Sequence, residues 1–83
     1  MPVIDNTERS QFELDIDGNL AFAKYRRSGN TLSIAHVEAP PVLRGTGAAG
    51  QLMQGLVDIA DANGLQIEPI CPYAVAWLRK HGR

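Results

Sequence analysis

The stretch Val42-Leu43-Arg44-Gly45-Thr46-Gly47-Ala48-Ala49-Gly50 runs directly into Gln51-Leu52-Met53-Gln54-Gly55-Leu56-Val57-Asp58-Ile59-Ala60-Asp61-Ala62-Asn63-Gly64. A loop of small residues opens into an amphipathic helix. Ala49, Leu52, Met53, Leu56, Ile59 and Ala60 recur at helical spacing and form an apolar stripe. Gln51, Gln54, Asp58 and Asp61 fall on the opposite side. Gly64 after Asn63 stops the helix.

The other end of this helix carries more information. Between Glu38 and Asp58 there is no acid to complement the positive end of the helix dipole. Thr46 is the one residue there able to cap the free amides. Arg44 and side chains too small to shield the backbone occupy the rest. Such a segment offers several N–H groups to an anion, which gains roughly 0.3–1 kcal/mol from the dipole alone. Two readings follow from these residues: a phosphate or pyrophosphate cradle, or a tight glycine turn that precedes a helix.

Two phosphate motifs are excluded. The Gly-x4-Gly-Lys-Ser/Thr loop of nucleotide hydrolases is absent. Gly45-Thr46-Gly47-Ala48-Ala49-Gly50 matches Gly-x-Gly-x-x-Gly on paper, but the dinucleotide fold places that fingerprint directly after its first strand. Here Pro40-Pro41 intervenes, and the chain is too short for a dinucleotide fold.

Arg44-x-x-Gly47-x-Ala49, opening a helix, resembles the acetyl-CoA pyrophosphate motif of the GNAT acetyltransferase superfamily. His36-Val37-Glu38-Ala39-Pro40-Pro41, Gly64-Leu65-Gln66-Ile67-Glu68-Pro69-Ile70-Cys71-Pro72-Tyr73 and Leu78-x-x-His81 extend the likeness to the small GNAT-like proteins. It covers most of the chain, from Phe12 to His81, and the Cys-Pro-Tyr segment is its most specific part. The resemblance implies acetyl-CoA as co-substrate, held by Arg44, Gly45, Thr46, Gly47, Ala48 and Ala49.

Composition sets the wider bounds. With 83 residues the expectation is one domain, 1–83, which buries only about 60–65% of its unfolded surface. A net charge of −1 argues against a nucleic-acid partner. One cysteine allows no intrachain disulfide and suits a reducing cytoplasm. No apolar run approaches the roughly 20 residues of a membrane span, and Met1 to Ser10 lacks the apolar core of a signal peptide.

The expected fold is α/β. Pro2 to Ser10 reads as a polar lead-in, in which Val3-Ile4 adds a short edge strand. Gln11 to Ile16 alternates as a half-buried strand, and Asp17-Gly18 turns it. Leu20 to Arg27 is the second strand, and Ser28-Gly29-Asn30 the next turn. Thr31 to Glu38 completes an antiparallel meander, with Leu32, Ile34, His36 and Glu38 expected on one face. After Pro40-Pro41 and the long helix, Leu65 to Ile70 forms a fourth strand, parallel to the third across a βα crossover. Pro69 disturbs its pairing. Pro72 starts a C-terminal helix to about Lys80, with Val75 and Leu78 inward. In a minimal GNAT-like fold, the pantetheine arm of the co-substrate enters where these last two strands splay apart.

Cys71 precedes Pro72, so its thiol lies at a helix N-terminus, a place that favours the thiolate. A free cysteine is also often a small buried hydrophobe. The resemblance puts Cys71 near the thioester, able to take the acetyl group as a covalent intermediate. His36 serves as a general base, toward an amine or toward Cys71, or is a structural histidine of the sheet. The resemblance places a His-x-Glu at this point. Glu38 acts through a water or stands as a solvated strand-end charge. Val37 and Ala39 depart from the threonine and valine expected in the family, so no threonine hydroxyl is on hand. Tyr73 protonates a leaving CoA thiolate, as a tyrosine does in many GNAT enzymes, or merely anchors its helix. Trp77 belongs to the core or an interface. Arg79, Lys80 and Arg83 meet the 3′-phosphate of CoA or complement a helix end.

One cysteine and two distant histidines make no metal site. The expected activity is N-acetyl transfer from acetyl-CoA to an unidentified amine or protein acceptor, directly or through Cys71, in a monomer or homodimer. The alternative is a non-catalytic CoA-binding or partner-binding module. No nucleic acid and no membrane is expected as a partner.

Overall fold

The computed structural model describes residues 3–83; Pro2, where the predicted lead-in starts, lies outside them. The alternating segments become strands β1 (Ile4–Asn6), β2 (Gln11–Ile16), β3 (Asn19–Ser28) and β4 (Thr31–Glu38). A single 3-10 turn at Pro41–Leu43 leads to α1 (Ala48–Ala62), then β5 (Gln66–Pro69) and α2 (Pro72–Lys80). The sheet order is β1-β2-β3-β4-β5. All pairs are antiparallel except β4 with β5, which are parallel, as a strand–helix–strand crossover requires. The edge strand β1 raises the strand number to five.

One face of the sheet is the core. Phe12, Leu14, Ala21, Ala23, Leu32 and Ile34 are buried against Leu52, Met53, Leu56, Val57 and Ala60 of α1. Each fully buried Leu, Val, Met or Phe stabilises the fold by about 1.5–3 kcal/mol. Ala48 and Val57 are buried while Ala49 and Ile59 are only half-buried, so the inward stripe of α1 is rotated from the expected one. Ala74 and Leu78 of α2 complete the cluster, and Val75 is half-buried. Val3 lies so close to α1 that a Cβ on Gly55 would overlap its side chain.

β4 differs from the simple alternation. Lys24 pairs with His36 but Tyr25 pairs with Ile34, so Ala35 is an extra residue in β4. This β-bulge reverses the faces beyond it. Leu32 and Ile34 point into the core, as do Val37 and Ala39 in part. His36 and Glu38 therefore project from the opposite, open face, and the expected common face of Leu32, Ile34, His36 and Glu38 is corrected. Phe22 pairs with Glu38 on that open face and sets its ring 6.3 Å from the His36 ring.

At the other end of the sheet the Tyr25 hydroxyl donates to Asp5 at 2.6 Å, and its ring packs 4.8 Å from Phe12. Burial, helped by that hydrogen bond, pushes the Tyr25 phenol from 10.0 up to about 12. The folded state thus holds this proton more tightly than the unfolded chain. The resulting stability is complete below pH 10 and is lost as the pH rises through about 12. Tyr25→Phe is expected to lose less stability than the parent between pH 10 and 12 in denaturant titrations. Equal losses in the two proteins would contradict this.

Candidate functional site

Pro40 and Pro41 donate no hydrogen bond and end the strand, after which the chain folds back on itself in short turns. Leu43 N–H donates to Pro40 O, Arg44 N–H to Pro41 O and Thr46 N–H to Leu43 O. Buried Leu43 anchors the loop from below. Thr46 Oγ1 donates to Leu43 O and accepts from Ala48 N–H at 3.3 Å, so the threonine serves the loop itself. Gly45 and Gly47 take left-handed φ values of 80° and 84°, where another residue costs about 1–2 kcal/mol. A Cβ at either position would project into open space.

Gly47 is the N-cap of α1 and supplies no side-chain cap, and no acid stands in the first turn. Gln51 N–H is the first to donate back to Gly47 O. Among the described residues, the amides of Gly45, Gly47, Ala49 and Gly50 have no acceptor. Arg44 is exposed beside them. This donor set fits an anion with several oxygens, as a helix N-terminus does. Gly50 was absent from the expected cradle. The signal for it was its place in the first helical turn, where N–H groups lack intrahelical partners.

Two recesses meet at this loop. One, of about 310 Å³, is lined by Leu43, Arg44, Gly45, Gly47, Ala48, Ala49 and Gly50 together with Ala39 and Tyr73. The other, of about 290 Å³, is lined by His36, Val37 and Glu38 and by the same Ala39, Arg44, Ala49 and Tyr73. They form one groove from the amides of α1 to the end of β4. β5 pairs with β4 only as far as Ile34–Pro69, so residues 35–38 of β4 have β3 as their one strand neighbour.

His36 Nε2 lies 3.7 Å from Glu38 Oε1, and both side chains are more than half exposed. Tyr73, on the first turn of α2, reaches both recesses. Burial raises the Tyr73 phenol above its ordinary value, so it keeps its proton at neutral pH. Cys71 is the N-cap of α2 and is buried in the core; it lines neither recess, and nor does Thr46. The structure therefore brings His36, Glu38, Arg44, the small residues of the loop and Tyr73 to one groove, with Cys71 behind its wall. Trp77 packs near Gly50 and stacks on His81 at 3.8 Å. Arg83 pairs with Asp61 at 2.7 Å, at the far end of α1. Among the described residues no three His, Cys, Asp or Glu cluster as a metal site, and no helix is long and apolar enough to cross a membrane.

The model of the GCN5-related N-acetyltransferases matches residues 11–83. No curated protein matches the chain. The match takes in every strand from β2 onward, both helices and the whole groove: the chain belongs to the GCN5-related N-acetyltransferase family.

Proposed function

We propose that this chain binds acetyl-CoA in the groove and catalyses transfer of the acetyl group to an amine, on a small molecule or a protein, in the cytoplasm. The observation that carries the reading is the set of unpaired amides at Gly45, Gly47, Ala49 and Gly50, continuous with a recess that holds His36, Glu38 and Tyr73. The amides and Arg44 hold the pyrophosphate. Acetyl-CoA bound there supplies an activated thioester. His36 takes the proton that the acceptor must lose, and Glu38 stabilises the imidazolium so formed. Tyr73 is protonated at neutral pH and provides a proton for a departing thiolate.

Direct transfer is favoured over a route through Cys71, because Cys71 is only 8% exposed and stands outside the groove. A second reading is a CoA-binding module without turnover. It draws support from the open face around His36 and Glu38, which among the described residues no helix covers.

Arg44→Gln is expected to weaken acetyl-CoA binding about tenfold in calorimetry, the loss of one charge-assisted contact, with stability unchanged. Gly47→Ala should weaken binding and also cost about 1–2 kcal/mol of stability. Unaltered affinity in both variants would contradict the cradle. With a panel of amines and peptides, His36→Ala should lower turnover by about 100-fold or more while acetyl-CoA affinity holds. Absence of turnover in the parent would leave the binding-module reading. Cys71→Ala should retain activity; loss of activity, with an acetyl adduct on Cys71 by mass spectrometry, would instead establish the covalent route.

A further inference from the structure

A further cavity lies at the end of the molecule remote from the groove, and nothing in the acetyl-transfer reading uses it. It holds about 540 Å³, within the range of small-molecule sites. The length of α1, roughly 20 Å, separates it from the amides of the loop. Its accessible apolar lining comes from half-buried Tyr25, Ile59 and Leu65, over the buried Phe12 and Leu32. The Phe12 and Tyr25 rings, tilted against each other at 38°, form one side. The turn between β1 and β2 walls another, fixed by Tyr25 N–H donating to Ser10 O at 2.9 Å.

Opposite charges flank this apolar lining. Asp5, Arg26 and Arg27 line the cavity, and Asp5 and Arg27 both act electrostatically on the Tyr25 hydroxyl. Yet among the described residues no ion pair joins them. Among the described residues, the one side-chain hydrogen bond to the Asp5 carboxylate comes from Tyr25, on Oδ1. Arg27 Nε–H donates to Gly29 O at 3.3 Å, and among the described residues its terminal N–H groups have no partner. The last turn of α1 reaches the cavity through Asn63, and its carbonyls are already satisfied: Asn63 Nδ2–H donates to Ile59 O at 2.7 Å and Leu65 N–H to Ala60 O at 2.8 Å. A cation near Asp5 and an anion near Arg26 and Arg27 are both electrostatically favoured, while the apolar lining favours an apolar body.

We infer that this cavity binds a free α-amino acid with a bulky apolar side chain, its ammonium toward Asp5, its carboxylate toward Arg27 and its side chain against Tyr25, Ile59 and Leu65. A zwitterion sets one charge against Asp5 and the other against the two arginines, which a purely anionic or cationic ligand does not. The site is separate from the acetyl-transfer groove, and its occupant is a second ligand of the protein.

Calorimetric titration of the full chain with L-phenylalanine and L-leucine tests this, with phenylacetate and phenethylamine as probes lacking one charge each. Saturable binding of at least one amino acid is expected, about tenfold or more tighter than either singly charged probe. Arg27→Gln and Asp5→Asn should each abolish that preference, while acetyl-CoA affinity in both stays that of the parent. No saturation with either amino acid, or equal affinities for zwitterion and singly charged probes, would overturn the proposal. Retention of the preference in both variants would overturn it as well.

Discussion

The amides of Ile70 and Cys71 both donate to the carbonyl of Ile34, each at 3.0 Å, and this is the last point at which β5 holds β4. Beyond it the two strands part. Pro69 still pairs with Ile34, so it does not disturb the pairing as expected; its nitrogen faces the free edge, away from β4. Ala35 adds a residue that bends β4 and turns His36 and Glu38 to the open face. The gap between the strands sits beside the N-terminus of α1. A donor-rich helix end and a pair of proton-handling side chains thus share one groove, although the chain has only 83 residues.

Electrostatics and backbone conformation cooperate at the loop. Two left-handed glycines let the chain reverse before α1, and Thr46 consumes the amide of Ala48 to stiffen the turn. The amides of Gly45, Gly47, Ala49 and Gly50 stay unpaired among the described residues, and no acid stands in the first turn of α1. An anion at a helix terminus gains up to about 2 kcal/mol when partly buried, and the loop hydrogen bonds add to this. Leu43 and Ala48 bracket the loop and are both buried, which anchors its two ends to the core.

Much of this was legible in the residues. The alternation of Phe12, Leu14 and Ile16, the turn at Asp17-Gly18 and the stripe of α1 specify elements through simple periods, and the sheet order follows from short connections. The bulge was not legible. Leu32-Ser33-Ile34-Ala35-His36-Val37-Glu38 reads as unbroken alternation, and only pairing with β3 reveals that Ala35 is supernumerary. The placement of Cys71 was half legible: Pro72 marks the helix start, but the inward direction of the thiol depends on how α2 packs against β4 and β5. The cavity at Asp5 and Arg27 was beyond sequence reasoning, since it joins residues from both ends of the meander with the end of α1.

The amide proton–nitrogen spectrum of the isotopically labelled chain, recorded as acetyl-CoA is added, tests the central claim most directly. The account predicts that the resonances of Gly45, Gly47, Ala49 and Gly50 shift furthest and saturate together. Saturation elsewhere in the molecule with these four unmoved, or no saturation at all, would contradict it.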